Sequence, residues 1–239
     1  MERMNVLADK ALPLREKIYT AFHRDIITGK IPGGTQLMET AIASSMGVSR
    51  TPVREALQKL ASEGFLHPIP RAGYMVEDMS DDDIRDLFTA REEIEKVAVR
   101  WAAAKITQAE LDRLEANLYE TDEVLKKGTF ERMIDLDKDF HHVLYRATRS
   151  KTLFQISQNL SERTLKFRIA CIHFPEVARR AGEGHSRIYQ ELRKGPGGGV
   201  ETAVETHLKE TLEDILASLR RIREEAFMAG EAGTKPSPF

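Results

Sequence analysis

The 239-residue chain predicts a mainly α protein in two parts, an N-terminal winged helix-turn-helix followed by an all-α antiparallel helical bundle. Three observations carry this expectation. A glycine turn at Gly47 feeds an arginine-bearing helix that opens Ser49-Arg50-Thr51-Pro52. A basic hairpin tip follows at Arg71-Ala72-Gly73-Tyr74. Beyond residue 80, apolar residues recur at helical spacing, with no segment that alternates as a strand does.

Taken in order, Leu14, Ile18, Phe22 and Ile26 mark an amphipathic helix ending at Gly29, and Ile31-Pro32-Gly33-Gly34 is a turn that cannot continue it. Glu39 to Met46 makes a short second helix, and Gly47 supplies the permissive backbone of a tight interhelical turn. Ser49 or Thr51 is positioned to cap the third helix, with Pro52 in its first turn. Val53, Leu57 and Leu60 face inward at helical spacing, which turns Thr51, Arg54, Gln58 and Ser62 outward. Arg50 shares the first turn. A helix N-terminus entering the major groove of DNA presents its opening residues to base edges, and a guanidinium fork matches guanine O6 and N7. Two short strands, around Phe65-Leu66-His67 and Tyr74-Met75-Val76 and joined through Pro68 to Gly73, form the wing.

Glu77-Asp78-Met79-Ser80 reads as a boundary, because Ser80 followed by Asp81-Asp82-Asp83 is a helix N-terminus with acids at its positive end. Six helical segments follow, at about 81–105, 107–127, 129–149, 151–171, 175–194 and 200–228. Thr107 and Thr129 serve as caps, while Gly128, Pro175 and the run Gly195-Pro196-Gly197-Gly198-Gly199 interrupt. The expected domains are residues 1–78 and 79–230, with 231–239 as a flexible tail rich in Gly, Pro, Ser and Thr.

A hydrophobic content of 41% suffices for packed cores. No apolar run approaches the roughly 20 residues of a membrane span, and Met1-Glu2-Arg3-Met4 lacks the apolar centre of a secretory signal, so a cytoplasmic protein without membrane association is expected. The lone Cys171 excludes an intramolecular disulfide and any multi-cysteine zinc site. Net charge is -2, which argues against indiscriminate nucleic-acid binding. Residues 1–78 hold ten Lys/Arg against nine Asp/Glu, so a DNA footprint must be local, built from Arg50, Arg54, Lys59 and Arg71. Affinity scales with the phosphates neutralised, and two copies on a two-fold site meet that need.

Inside the bundle, polar residues occupy positions where the periodicity calls for apolar ones. Phe130, Ile134, Asp137, His141 and Leu144 form one stripe, His185 shares another with Ile188, Tyr189 and Leu192, and His207 follows Val200 and Val204. A buried carboxylate needs a partner, so Asp137 requires either a hydrogen-bonded cation or a metal. One carboxylate and three imidazoles converging from three helices suit a first-row transition metal; taken singly, an inward His is more often a hydrogen-bonded core residue. Arg91 lies in the stripe Ile84, Leu87, Arg91, Ile94, Ala98. Its guanidinium either grips a ligand carboxylate or pairs internally with Glu95. Arg163 and Arg168 are secondary candidates for the same role, with a surface position as the alternative. His142 is rotated about 100° from His141, so one of the two faces the site.

The stretch Gly47-Val48-Ser49-Arg50-Thr51-Pro52-Val53-Arg54-Glu55-Ala56-Leu57, with Glu63-Gly64 and Arg71-Ala72-Gly73 after it, resembles the GntR family of bacterial transcription regulators. That resemblance implies DNA contacts by Arg50, Thr51, Arg54 and Arg71, with Gly73 at the wing tip. Thr40 stands where relatives often place a base-contacting arginine. Asp137-Lys138-Asp139-Phe140-His141 with Leu144, Glu183-Gly184-His185 and Thr206-His207-Leu208 resemble the FadR C-terminal domain, FCD. Six helices are similar to its VanR-like subgroup. This second resemblance implies a divalent metal (zinc, nickel or manganese) on Asp137, His141, His185 and His207, and a small organic acid effector beside it, held by Arg91. Ser150 replaces a frequent Asn, and the loop at 195–199 departs from the family pattern. The implied protein is a homodimeric, acid-responsive repressor on a palindromic operator, without enzymatic activity. Two alternatives stay open: a sensor in which the metal ion is the effector, and a metalloenzyme carrying a DNA-binding domain, for which Glu183 and Glu205 are the neighbouring carboxylates.

Overall fold

The structure, a computed structural model, describes residues 13–77, 80–128, 130–171 and 174–228. The expectations that fall on Asp78, Met79, Thr129 and the tail 231–239 lie outside the described residues. The chain divides into two compact units, one of residues up to Ser80 together with those from Leu219 onward, the other Asp81–Ser218.

The first unit begins with α1 (Leu14–Ile27), β1 (Gln36–Leu37), α2 (Glu39–Met46) and α3 (Arg50–Ser62). It continues with β2 (Leu66–Ile69) and β3 (Gly73–Val76). Helix α3 packs on α1, α2 and β2, burying Val53, Ala56, Leu57 and Leu60 against Ile18, Phe22 and Ile42. Ser49 takes the N-cap position of α3, yet its hydroxyl makes no cap bond. Pro52 explains this: it occupies the third helical position, where a capping side chain would ordinarily find an N–H, and proline has none.

The wing hairpin pairs Leu66 with Val76 and Ile69 with Gly73, both strands antiparallel. A third strand, β1, adds to its other edge, giving the order β1-β3-β2. That strand is two residues long and leaves no alternation to read. Gly73 has φ +89°, and a Cβ there would lie 2.3 Å from the carbonyl oxygen of Leu37. Its glycine is therefore required by the close approach of β1, whatever else the wing tip touches.

The second unit holds α4 (Asp81–Ala103), α5 (Gln108–Lys127), a 3-10 turn (Phe130–Arg132), α6 (Met133–Ala147), α7 (Lys151–Cys171) and α8 (Pro175–Arg193), with α9 (Val200–Met228) starting within it. Thr107 caps α5 in a reciprocal box with Glu110, and Pro175 occupies the first position of α8. The bundle is built by α4 packing on α6 and α7, α5 on α6 and α8, and α6 on α7. No helix among the described residues is long and apolar enough to cross a membrane.

Candidate metal centre and DNA-reading face

Five helices bring a polar cluster into the bundle. His141 on α6, His185 on α8 and His207 on α9 are all buried, and each offers a ring nitrogen within 4.8 Å of the others'. The rings of His185 and His207 have centroids 4.8 Å apart, and that of His141 lies 5.1 Å from His185. Phe140 stacks on His185 at 4.1 Å, fixing the plane of that ring. Gly184 clears the way for His207: a Cβ on it would sit 2.2 Å from His207 Nδ1.

Around His141 runs a hydrogen-bonded charge network. Arg91, from α4, donates through Nε to Glu95 at 2.6 Å and through Nη1 to Thr164 at 2.9 Å, and its Nη2 lies 3.3 Å from His141 Nε2. Tyr145 donates to the same Glu95 oxygen at 2.6 Å, and the other Glu95 oxygen faces His141 Nδ1 at 3.4 Å. Of the two readings of Arg91, the structure shows the ion pair with Glu95, with all three guanidinium nitrogens engaged. Burial alone would push the Glu95 carboxyl up, but Arg91 and His141 outweigh it and hold the group well below the usual carboxylate range.

Asp137 sits at the cluster's edge and is only partly buried, because the inward face of α6 runs through Met133, Leu136, Phe140 and Leu144. One of its oxygens is 3.7 Å from His185 Nε2; the other is ion-paired with Arg168. The structure thus supplies a cation for Asp137 and brings the three imidazoles, rather than all four groups, into one tight cluster. Arg168, which the sequence left undecided between site and surface, is buried on α7 with Nη2 bonded to Ser161. Its Nε has no hydrogen-bond partner. Arg91, Asp137, Arg168, His185 and His207 line a small cavity of about 40 Å³ together with apolar residues that include Met133, Ile134 and Ile215. Arg163 is exposed, and His142 turns away to Arg146 and Phe154.

A divalent ion fits these residues on three counts. His185 Nε2 is buried without a hydrogen-bond partner, the imidazoles converge, and both His185 and His207 are held neutral, as ligands must be. Burial depresses each of them well below the usual range for histidine, and the neighbouring imidazoles and the arginines add to it. A pH dependence follows. The unfolded chain takes up these protons near 6.5, the folded chain only at lower pH. The stabilisation is therefore complete above that value and is lost as the pH falls through the depressed folded values. Each imidazole is worth about 1.4 kcal/mol per pH unit in that window. Urea midpoints of metal-free protein should fall between pH 7.5 and 5; an unchanged midpoint contradicts the buried neutral pair.

On the first unit, Arg50, Thr51 and Arg54 are exposed on one face of α3, and Arg71 is exposed at the tip of the wing. Glu39, at the start of α2, receives both α3 arginines. Lys59, counted in the footprint from sequence, instead pairs with Glu16 at 3.1 Å and lies over the Tyr19 ring on the α1 side.

A winged helix-turn-helix with an outward arginine face, joined to a helical domain enclosing a histidine cluster, is the architecture of a two-domain DNA-binding regulator. Comparison with known proteins gives the same class. Residues 14–76 match the family described as bacterial regulatory proteins, gntR family, and residues 86–210 match the FCD domain. The chain is 30% identical over 213 residues to the HTH-type transcriptional repressor RspR of Escherichia coli strain K12, covering 89% of this chain and 92% of that one. It is also 30% identical to the Nta operon transcriptional regulator of Aminobacter aminovorans, over 78% of this chain and 87% of the other. The fold is shared with the solved structure of Lar, which controls the expression of the Listeria monocytogenes agr system, at a TM-score of 0.61 and 20% identity over 89% of this chain and 99% of that one. The chain belongs to the GntR family, in the group that carries an FCD domain, and is a DNA-binding transcriptional regulator.

Proposed function

We propose that this regulator is a homodimeric, cytoplasmic repressor that senses a small organic acid at a divalent-metal site and thereby alters its hold on a palindromic operator. One observation carries the reading: three buried imidazoles converge, and two of them, His185 and His207, line one cavity with an arginine whose Nε is unsatisfied. His141, His185 and His207 would hold the ion, with Asp137 the nearest carboxylate; this donor set suits zinc, nickel or manganese. When bound, such an ion supplies a Lewis-acidic centre that attracts a carboxylate.

The chain's own residues supply the rest. Arg168 lines the cavity with its Nε unsatisfied, and is better placed than Arg91, whose guanidinium nitrogens are all engaged, to donate to an acid's carboxylate. Arg91 keeps Glu95 neutralised and steadies His141. Met133, Ile134 and Ile215 exclude water from the hydrocarbon part of the ligand. Acid and operator are linked, each changing the other's affinity by the same factor. Six α-helices from Asp81 onward among the described residues support the VanR-like subgroup. Against an enzyme stand the outward ion pairs of Glu183 with Arg179 and of Glu205 with Lys209, which take both neighbouring carboxylates away from the cluster.

Elemental analysis after metal-replete purification tests the site. Wild type should retain about one divalent ion per chain, and His185→Ala and His207→Ala should each lose it while the winged unit still binds DNA. Wild type that takes up neither zinc, nickel nor manganese removes the metal from the mechanism.

A further inference from the structure

Glu39 places a negative charge against Arg50 and Arg54 on the exposed face of α3, and on a face turned to DNA, phosphate repulsion penalises such a charge. Its carboxylate is mostly shielded, with 18% of the side chain exposed. Both oxygens take Nε of Arg54, at 3.0 and 3.2 Å, and one lies 3.5 Å from Nη2 of Arg50. These two arginines are four residues apart on α3, so they share a face, and a single carboxylate from α2 ties them together. Nε of Arg54 is the edge that Glu39 occupies. The two Nη groups remain, and no hydrogen bond or ion pair to them occurs among the described residues. Nη1 and Nη2 form the end-on fork whose spacing matches guanine O6 and N7.

We propose that Glu39 is a positioning residue that sets sequence specificity in two ways. It aims the Arg54 fork into the groove, and it withholds Arg50 and Arg54 from the phosphates of arbitrary DNA. Specificity is a difference between affinities, so a charge that costs binding to every duplex raises discrimination if one duplex recovers the loss through an aligned base contact. A flexible, unpaired arginine does the opposite. It reaches the nearest phosphate on any sequence and adds salt-dependent affinity without information.

The test compares two duplexes: the one that wild-type protein enriches from a random pool, and a scrambled duplex of the same length and composition. Glu39→Gln keeps the shape and removes the charge. It should bind the scrambled duplex several-fold more tightly, with a log–log salt slope steeper by about 0.9 for one added phosphate contact. Preference for the enriched duplex should fall by roughly five- to tenfold, the scale of one misaligned bidentate pair. Glu39→Asp, which retains the charge, should restore the weak binding to scrambled DNA. A Glu39→Gln protein that loses affinity equally on both duplexes assigns Glu39 a purely structural role and overturns the proposal, as does one unchanged on both. Wild type that enriches no duplex removes groove reading from Arg54, and the inference with it.

Discussion

Arg91→Met should destabilise the ligand-free protein by about 3–5 kcal/mol, the cost of removing one partner from a buried ion pair. Arg91 is 1% exposed and Glu95 is fully buried. Without the guanidinium, the Glu95 carboxylate keeps only Tyr145 as donor and faces His141, so it must either remain charged in a dry site or take up a proton. The double change Arg91→Met with Glu95→Gln separates the causes. It removes both charges, keeps an acceptor for Tyr145, and should recover a substantial part of the loss, because neutralising a buried pair together is far less costly than orphaning one member. Chemical denaturation of all four proteins, without metal or acid, gives the coupling energy as a double-mutant cycle. An Arg91 whose role is only to grip an effector would show almost no effect in the absence of ligand. A single-mutant loss below about 1 kcal/mol would return it to that role.

Much of this network was legible in the sequence, and its limits have physical causes. The α3 helix could be read residue by residue, since Val53, Leu57 and Leu60 alternate with exposed polar residues on a short segment. The three histidines were readable because each interrupts an otherwise apolar stripe on α6, α8 or α9. Arg168 was not. Helix α7 buries Ser157, Ser161 and Thr164 on its inward face, so hydrophobic periodicity does not mark which side faces the core. An arginine beside polar residues then reads as solvated. Asp137 was legible as a carboxylate needing a partner, but choosing between a cation and a metal required knowing what α7 brings across from it. Similarly, Glu39 is an ordinary helix-start acid by sequence; only the packing of α2 on α3 reveals that it holds two arginines. Long-range polar partners are invisible to local pattern, and each of these residues acts through one.

Gly184→Ala should weaken metal binding by about 10–100-fold without altering any ligand, the range typical when a group that orients a ligand is disturbed. On α8 as an isolated helix the change would be favourable, since alanine exceeds glycine by about 1 kcal/mol in a helix interior. The added methyl, however, would lie 2.2 Å from His207 Nδ1, 3.0 Å from Cγ and 3.2 Å from Cε1. His207 has little freedom to stay in place: it is 3% exposed and packs beside His185 and His141, so the open direction is the adjoining cavity. Overpacking of this kind costs about 1–3 kcal/mol, which outweighs or cancels the propensity gain. The ring must rotate away from the nitrogens it converges with. Gly182→Ala is the matched control, two residues away on the same helix, where the new methyl would meet side-chain carbons of Thr121 at 3.2 Å and Leu125 at 3.6 Å and no histidine within 3.6 Å. Zinc affinity measured by competition with a chromophoric chelator should therefore fall for Gly184→Ala and hold for Gly182→Ala, with both proteins folded by circular dichroism. Equal zinc affinity in the two variants would show that His207 does not need the position it holds against α8, and would take it out of the ligand set.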